Sequence, residues 1–560
     1  MFARILCVLL SSTVFSAQAK TDAWAHGAMA ATANPYATDA AIAMLSQGGH
    51  AVDAAIAAHL VLGLVEPQSS GIGGGGFLLV FERSIGELTF HDGREVAPSG
   101  ARSDMFMLEG EVMPFINAWQ SGKSIGVPGA VALYKQAHDR HGRLPWAQLF
   151  QPALRLAREG FAVSPRLAGM LGRMASFTRL DENPGAAEYF YPQGKPLEAG
   201  QLRKNPDYAK TLAALAADGP SVFYRGSIAK AIVAAARAEP DPGQLTLADL
   251  ENYSPKIRSA VCGPFKTVSI CSASPPSSGG AQIMIARLYE YLLAQPDGAD
   301  RTRAFVDAQR LAYADRDRFF ADPDYVDVPL EALLKTDYLQ RRASQKPQPD
   351  AEPQHGNPGL AQVPGTDTTQ EPNGTTHLSI VDSEGNAVSF TATVEAPFGS
   401  ARWVQGFLLN NEMTDFARGY DSEGELPANA VAGGKRPRSS MSPTFVFDAS
   451  GELLLVTGSP GGNSIPAYVS KTIIGMLDWE LSAQQVVDFP NIVARGKKVR
   501  VETGVVGGVD LAKDLRSAGY EVQEREGENS GIHLIYVTDS GLVGVADKRR
   551  EGTVRRWVKH

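Results

Sequence analysis

The sequence predicts an α+β protein, and three observations support this. The chain has 560 residues, of which 44% are hydrophobic, so it can bury a large core. Its first part has mainly helical periodicity, whereas residues 375–560 are rich in short apolar segments of strand length. Residues 345–372 are polar and rich in Pro and Gln. We therefore expect a helical and mixed region, a disordered polar linker near residues 345–374, and a strand-rich region.

The first region begins with two predicted helices. Residues 37–65, ATDAAIAMLSQGGHAVDAAIAAHLVLGLV, form two Ala-rich helical patterns separated at Gly48-Gly49. The glycine run that follows contains the letters G-x-G-x-x-G, but here a helix precedes it and the strand FLLVF follows it. A dinucleotide-binding loop requires the opposite order, so we expect no nicotinamide or flavin site. Residues 130–339 are predicted to be a largely helical scaffold.

The last region is predicted to contain at least six strands. Residues 377–394 have the pattern of a buried hairpin whose turn is SEGN. Further strand patterns follow along the chain, with the sequences PTFVF, LLLVTG, VRVE and IHLIYV. No internal repeat is present.

Residues 1–19 predict an export signal. They contain Arg4, an apolar run from Ile5 to Phe15, and small residues at positions 17 and 19. A membrane anchor is the alternative, but a spanning helix needs about 20 apolar residues, more than this run provides. No later segment has the length and hydropathy of a membrane span, and the net charge of −8 gives no basic surface for nucleic acid.

Removal of the signal leaves two cysteines in an oxidising compartment. Cys262 and Cys271 flank GPFKTVSI, a predicted hairpin, so they could form a disulfide or remain as two core thiols. A turn centred on Phe265 and Lys266 would place Cys262 opposite Ser269 instead. His138 and His141 have H-x-x-H spacing on a charged helix, which favours a solvated helix face over a metal site. We expect no bound metal and no cofactor.

The bond between Gly374 and Thr375 is the candidate for chemistry. It lies where an accessible linker meets the strand-rich region. The Thr375 hydroxyl could attack the Gly374 carbonyl and shift the acyl group from nitrogen to oxygen, and water would then hydrolyse the ester. The α-amine released on Thr375 has a pKa of about 7.7 to 8, so it can act as the base for its own hydroxyl near neutral pH.

Seven motifs occur along the chain in the order PQSSGIGGGGF, DGREVAP, PPSSGG, TTHLSIVDSEGNAVSFTATV, LLNNEMTDF, KRPRSSMSPT and TGSPGG. Together they resemble the γ-glutamyltransferases (glutathione hydrolases) of the N-terminal-nucleophile hydrolase superfamily. The resemblance implies a four-layer αββα sandwich, made as one precursor that cuts itself between Gly374 and Thr375. It implies a large subunit of residues 20–374 and a small subunit of residues 375–560 that stay together as a heterodimer.

The resemblance assigns catalytic roles to four residues. Thr375 corresponds to the nucleophile, which also supplies the N-terminal amine, and Thr393 corresponds to the hydroxyl that orients it. Gly461 and Gly462 correspond to the backbone N–H donors that stabilise the tetrahedral oxyanion.

Five further positions correspond to the family's donor-binding residues. A γ-glutamyl donor carries an α-carboxylate and an α-ammonium at one end. Arg94, Ser439 and Ser440 correspond to the carboxylate ligands. Glu412 and Asp415 correspond to the ammonium ligands.

The chain also departs from the family pattern. Glu395, where relatives carry Asn or Glu, adds a third acid beside the ammonium, and like charges could raise one carboxyl pKa. Thr414 replaces a frequent Asp, and Arg438 replaces a frequent apolar residue. Residues 416–434 correspond to the flap over the pocket and are shorter than in relatives with a full lid, which predicts a more open site.

The resemblance implies a periplasmic or secreted enzyme that transfers γ-glutamyl groups from glutathione and related amides. The acceptors would be water, amino acids or dipeptides. Two alternatives remain. One is a related amidohydrolase such as a glutaryl-cephalosporin acylase, and the other is an exported binding protein whose threonine has no chemistry.

Overall fold

The computed structural model describes residues 27–296 and 300–558. The predicted export signal therefore lies outside the described residues. The strands β1 to β22, in chain order, are Ala28–Thr32, Gly75–Glu82, Glu87–Gly93, Met107–Leu108, Glu111–Val112, Phe161–Ala162, Leu202–Arg203, Lys256–Arg258, Val261–Phe265, Val268–Ser272, Gly374–Val381, Ala387–Glu395, Trp403–Val404, Phe407–Leu408, Thr444–Phe447, Leu453–Thr457, Ile492–Ala494, Lys498–Glu502, Glu521–Arg525, His533–Thr538, Gly541–Ala546 and Thr553–Trp557.

Helices fill most of the chain between residues 115 and 344, as predicted. Among the described helices, none is long and apolar enough to cross a membrane. The helices α1 to α19, in chain order, are Pro35–Leu45, Ala51–Val65, Phe115–Trp119, Ala130–His141, Trp146–Leu149, Gln151–Glu159, Pro165–Met174, Pro184–Phe190, Pro206–Asp218, Ser221–Tyr224, Ser227–Ala236, Leu247–Glu251, Gly279–Leu293, Arg301–Phe319, Leu330–Leu334, Thr336–Ser344, Ile465–Leu477, Ala483–Asp488 and Gly508–Ser517.

Two antiparallel sheets form the centre of the fold. The first has seven strands in the order β22-β1-β11-β12-β2-β3-β8, and the second has six in the order β21-β20-β16-β15-β10-β9. Both sheets therefore combine strands from before and after residue 375. The six strands predicted after the polar segment are all present, as β11, β12, β15, β16, β18 and β20.

Side chains of the first sheet alternate between two hydrophobic cores. On β2, Leu79 and Phe81 belong to the core shared with the second sheet, where Phe81 stacks edge-on against Phe447 at 4.9 Å. Leu78 and Val80 belong to the core shared with helices α1 and α2. Helices α13, α14 and α17 contribute to the core around the second sheet. The predicted four-layer αββα sandwich is confirmed.

The two predicted N-terminal helices are present, and their boundaries have local causes. Asn34 caps α1 by accepting from the Tyr36 N–H, and His50 and Asp53 form a capping box at the start of α2. Between them Gly48 has a φ of 82°, a left-handed conformation that favours glycine.

The glycine run allows the chain to pass close to β12 and to the backbone at Leu408. A Cβ on Gly73 would lie 2.0 Å from the Leu408 carbonyl oxygen, and one on Gly74 would lie 1.9 Å from the Thr393 carbonyl oxygen. Only residues without a side chain permit this approach. The run follows helix α2 and leads into β2, which is the order that argued against a dinucleotide site.

The prediction of a disordered linker was wrong in its second half. Residues 345–373 contain no helix or strand, but Asp367, Thr369 and Glu371 are buried. Arg438 forms an ion pair with Asp367 at 3.0 Å, and Arg316 donates to Glu371. A prediction of disorder from composition considers only how much apolar surface a segment can bury. Here buried arginines from elsewhere in the fold hold the segment through its carboxylates.

Cys262 and Cys271 form a disulfide. They pair directly across β9 and β10, because Phe265 pairs with Val268 and the two-residue turn is Lys266-Thr267. The predicted turn centred on Phe265 and Lys266 was therefore wrong by one residue. Lys266 has a φ of 51°, a turn conformation that its residue type did not indicate.

The close approach at Gly74 gives a test of the strand placement. We expect Gly74→Ala to lower the free energy of unfolding by about 2–3 kcal/mol and to slow maturation, because the new methyl group forces β2 away from Thr393. Denaturant titration and denaturing electrophoresis measure the two effects. Gly172→Ala is the control, since a Cβ there has no described atom within 4 Å. Equal losses in both variants would contradict this explanation.

Candidate active site

The Gly374–Thr375 bond lies at a β-bulge. Gly374 pairs with Glu395 and Thr375 pairs with Thr393, so the register between β11 and β12 skips Val394. Glu395 has a φ of 77°, an uncommon conformation for a residue with a side chain. Bulges of this kind redirect side chains beside active sites. Thr375 is only 3% exposed, so the expectation of an accessible bond was wrong for the uncleaved chain.

The Thr393 hydroxyl connects both sides of this bond. It donates to the Gly374 carbonyl oxygen at 2.7 Å and accepts from the Glu395 N–H at 2.8 Å. Its oxygen is also 3.4 Å from the Thr375 hydroxyl oxygen. Because its only hydrogen is donated to Gly374, the Thr375 hydroxyl is the donor in that contact. The Thr393 hydroxyl thus contacts both the Gly374 carbonyl oxygen and the Thr375 hydroxyl oxygen.

Glycine is required on the carbonyl side of the bond. A Cβ on Gly374 would lie 2.3 Å from the Glu395 carbonyl oxygen. A larger residue would therefore displace the bulge that positions Thr393.

The two predicted oxyanion glycines lie between β16 and α17. Gly461 and Gly462 have φ values of 141° and 54°, conformations that favour glycine. In the uncleaved chain a Cβ on Gly462 would lie 2.1 Å from the Glu371 carbonyl oxygen. The linker also accepts and donates hydrogen bonds at Asn463, the next residue. The segment before the bond therefore covers this part of the site.

Arg94, which follows β3, is fully buried. Its guanidinium donates to the Glu412 carboxylate and, at 2.6 Å, to the Asp415 carboxylate. It also donates to the carbonyl oxygens of Pro437 at 3.2 Å and Arg438 at 2.9 Å. Arg94, which was predicted to bind the donor carboxylate, therefore contacts Glu412 and Asp415, which were predicted to bind the donor ammonium.

More carboxyl groups surround Arg94 than its single positive charge can balance. Burial raises the pKa of Glu412 and of Asp415 well above the usual range, against the opposing charge of Arg94. Burial also raises the pKa of Glu395, and the charges of Asp415 and Glu412 raise it further. Glu95 is a fourth buried acid, whose pKa burial raises to about 7. The expectation that like charges raise a carboxyl pKa is confirmed for Glu395.

Ser439 and Ser440 lie beside the loop before α13. The carbonyl of Ser439 accepts from the Ser278 hydroxyl at 2.7 Å. The Ser440 N–H donates to the Glu371 carboxylate at 2.8 Å, and its hydroxyl accepts from Arg316 at 2.6 Å. The main chain of the two serines is thereby fixed, and one carboxylate already binds there.

One cavity collects nearly all the predicted site residues. In the uncleaved chain its volume is about 10 Å³, roughly the space one water molecule requires. Gly462 lines this cavity, and Gly461 is its neighbour in the sequence. Its lining includes Arg94, Thr375, Thr393, Glu395, Glu412, Asp415, Ser439, Ser440 and Gly462, together with Glu371 and Pro372 of the linker.

The predicted flap, residues 416–434, is held at both ends. Arg418 donates to the Met113 carbonyl oxygen at 3.0 Å. Lys435, just after the flap, is buried and donates to the carbonyl oxygens of Ala428 at 2.6 Å and Ala430 at 2.9 Å. The first contact joins the start of the flap to the backbone at Met113, and the others join the residue after the flap to the flap's own backbone.

Sequence reasoning missed several residues at the site. Buried Arg550 donates to the Thr375 carbonyl oxygen at 2.9 Å, and no pattern near the C-terminus indicates this. Glu95 directly follows Arg94 within the motif DGREVAP, and that position was the available signal. Arg316 and Glu371 are distant in sequence and form their ion pair only in the folded structure.

Comparisons with known proteins agree with this geometry. A family model described as gamma-glutamyltranspeptidase matches residues 37–557. The chain is 33% identical over 545 residues to the glutathione hydrolase proenzyme of Bacillus subtilis (strain 168), covering 94% of this chain and 90% of that protein. It is 35% identical over 534 residues to the glutathione hydrolase proenzyme of Escherichia coli (strain K12), covering 93% and 90%.

A solved structure is similar over almost the whole fold. The crystal structure of cephalosporin acylase from Bacillus halodurans has a TM-score of 0.84 and 26% sequence identity, and the match covers 96% of this chain and 97% of that one. Because the family model extends over most of the chain and agrees with the motifs and the site, the chain belongs to the gamma-glutamyltranspeptidase family.

Proposed function

We propose that this protein cuts its own Gly374–Thr375 bond and then uses Thr375 to cleave γ-glutamyl amides. The observation that carries the proposal is the Thr393 hydroxyl, which contacts the Gly374 carbonyl and the Thr375 hydroxyl together. The products are a large subunit of residues 20–374 and a small subunit of residues 375–560. They stay together as a heterodimer because β11 lies between β1 of the large part and β12 of the small part.

Self-cleavage proceeds through an ester. The Thr375 hydroxyl oxygen bonds to the Gly374 carbonyl carbon, the C–N bond breaks, and the hydroxyl proton passes to the departing nitrogen. Water then hydrolyses the ester, which leaves a carboxylate on Gly374 and a free amine on Thr375. Donation from Thr393 stabilises the negative charge that develops on the Gly374 oxygen.

The free amine then serves as the base for the enzymatic reaction. It takes the Thr375 hydroxyl proton while the oxygen attacks the γ-carbonyl of the donor, and it returns a proton to the leaving amine. Gly461 and Gly462 donate backbone N–H groups to the oxyanion. Water or an incoming amine of an amino acid or dipeptide releases the γ-glutamyl group from Thr375.

The acid surplus supports a donor that carries an ammonium. Glu395, Glu412 and Asp415 are buried near one arginine, and an incoming cation compensates them. Arg94, Ser439 and Ser440 bind the α-carboxylate at the same end of the donor. The names of the B. subtilis and E. coli relatives favour glutathione as one donor.

We also propose that the protein is exported to the periplasm or secreted, with cleavage near Ala19. The disulfide between Cys262 and Cys271 supports this, because disulfides persist in oxidising compartments. The charged and apolar pattern of residues 1–19 agrees.

Removal of the Thr393 hydroxyl tests the processing step. We expect Thr393→Val to slow self-cleavage on the order of 100-fold, the loss typical of one oxyanion donor. The appearance of two chains on denaturing electrophoresis over time measures the rate. Thr457→Val is the control, since it removes a buried hydroxyl that has no hydrogen-bond partner among the described residues. Unchanged processing in Thr393→Val would exclude this role.

Comparison of two donors tests the substrate class. We expect mature enzyme to hydrolyse γ-glutamyl p-nitroanilide with a kcat/KM at least about tenfold above that for glutaryl p-nitroanilide, because only the first has the ammonium that compensates the buried acids. Release of nitroaniline measures both. The opposite preference would favour the acylase alternative, which the likeness to the B. halodurans acylase keeps relevant.

The raised pKa of Glu395 gives a prediction about protons. An acid whose pKa is raised holds its proton in the empty site, and a bound ammonium lowers that pKa, so ligand binding releases a proton. We expect glutamate binding to mature enzyme near pH 7 to release a measurable fraction of a proton. Isothermal titration in buffers of different ionisation enthalpy measures it.

A matched pair of variants isolates the contribution of Glu395. Glu395→Gln should reduce the proton release, while Glu423→Gln, on the exposed flap, should not change it. If Glu395→Gln leaves the release unchanged, another acid of the cluster carries the proton.

A further inference from the structure

We propose that the Glu371 carboxylate occupies, in the uncleaved chain, the position that the donor α-carboxylate takes after cleavage. Arg316 and Arg438 are then the cations of this carboxylate site, and Arg438 is a specificity-determining residue. This inference rests on the proposed function and adds to it the residues that distinguish donors with a carboxylate from donors without one.

The Glu371 carboxylate lies in a built anion site. One oxygen accepts from the Ser440 N–H at 2.8 Å, and the other accepts from Arg316 and lies 3.7 Å from the Arg438 guanidinium. Arg316 also donates to the Ser440 hydroxyl at 2.6 Å. The arginines hold the pKa of Glu371 at about 2 despite its burial, so the bound group is a carboxylate anion.

Glu371 is on the acyl side of the bond that is cut. Glu371 and Thr375 line the same cavity, and three residues separate them in sequence. A γ-glutamyl donor also places its acyl chain on this side, with a carboxylate at the far end. The linker thus occupies the site in the uncleaved chain, and its Glu371 side chain carries a carboxylate, as the far end of the donor does.

The linker must leave before a donor can bind. The Glu371 carbonyl oxygen would lie 2.1 Å from a Cβ on Gly462, so the linker backbone covers the N–H groups that stabilise the oxyanion. Hydrolysis frees the chain at Gly374, which permits residues 371–374 to move away. The anion site beside Ser440 is then vacated together with the oxyanion site.

Withdrawal of Glu371 leaves a buried positive charge without compensation. Three arginines and three acids form one ion-pair network, most of it buried, and balance each other in the uncleaved chain. Arg438 is fully buried, and none of its guanidinium nitrogens has hydrogen-bond geometry to an acceptor among the described residues. An incoming carboxylate restores the balance. The members are Arg316, Arg438, Arg495, Asp317, Asp367 and Glu371.

Arg94 does not supply this charge alone. Its guanidinium already donates to Glu412 and Asp415 and to two carbonyl oxygens. A carboxylate near Ser440 therefore gains from a second source of positive charge. Arg438 provides that source next to Arg316, with its guanidinium 3.7 Å from the Glu371 carboxylate.

A substrate comparison tests the proposal. We compare γ-glutamyl p-nitroanilide with γ-aminobutyryl p-nitroanilide, which retains the ammonium and lacks the carboxylate. In mature Arg438→Leu enzyme we expect kcat/KM for the first donor to fall at least about tenfold, mainly through KM, and for the second to change less than about twofold. Inhibition constants of glutamate and γ-aminobutyrate provide the same comparison if turnover of the second donor is slow.

Three further variants separate specificity from structural damage. Arg495→Leu disrupts the same network through Asp317 and should affect both donors alike. Arg438→Lys, which keeps the charge, should restore part of the selectivity for the carboxylate. Glu371→Gln should leave the mature KM unchanged because that residue has left the site. It also provides a test if Arg438→Leu does not mature.

Two outcomes would overturn the proposal. One is an equal loss on both donors in the Arg438 variants, and the other is a lower KM in Glu371→Gln, which would mean that Glu371 stays bound after cleavage. Failure of the proposed function would give a different result, because the unsubstituted enzyme would then not hydrolyse γ-glutamyl p-nitroanilide.

Discussion

The hydrogen bond from the Thr393 hydroxyl to the Gly374 carbonyl is the interaction on which the rest of the site depends. It exists because the register of β11 and β12 skips one residue at this point. Glycines on both sides make that register possible, since Gly74 allows β2 to approach Thr393 and Gly374 fits against Glu395. The chemistry of one bond therefore depends on close backbone packing across three strands of the first sheet.

The charges of the site are arranged in two parts. In one part of the site, buried acids surround Arg94. In the other part, buried arginines lie near Ser440. A zwitterionic donor end matches this separation, because each of its charges meets the opposite one. In the uncleaved chain the linker supplies the anion at Ser440, so the same segment positions the bond to be cut and keeps the site closed.

The sequence predicted the outline of the fold and most of the site, for reasons that are local or carried by motifs. The helical periodicity of residues 37–65, the strand patterns after residue 375 and the Gly374–Thr375 pair are all readable along the chain. Order in the linker was not readable, because buried arginines distant in sequence hold Asp367 and Glu371. The contact of Arg550 with Thr375 has the same origin. The position of the turn at Lys266 required a backbone conformation that its residue type does not suggest.

We infer that this strand register selects one peptide bond for cleavage and makes its threonine the nucleophile. Intact mass spectrometry of the purified protein, with sequencing of the smaller chain from its N-terminus, tests this inference. We expect two chains, of which the smaller begins at Thr375. A single uncut chain, or a smaller chain that begins at any other residue, would contradict it.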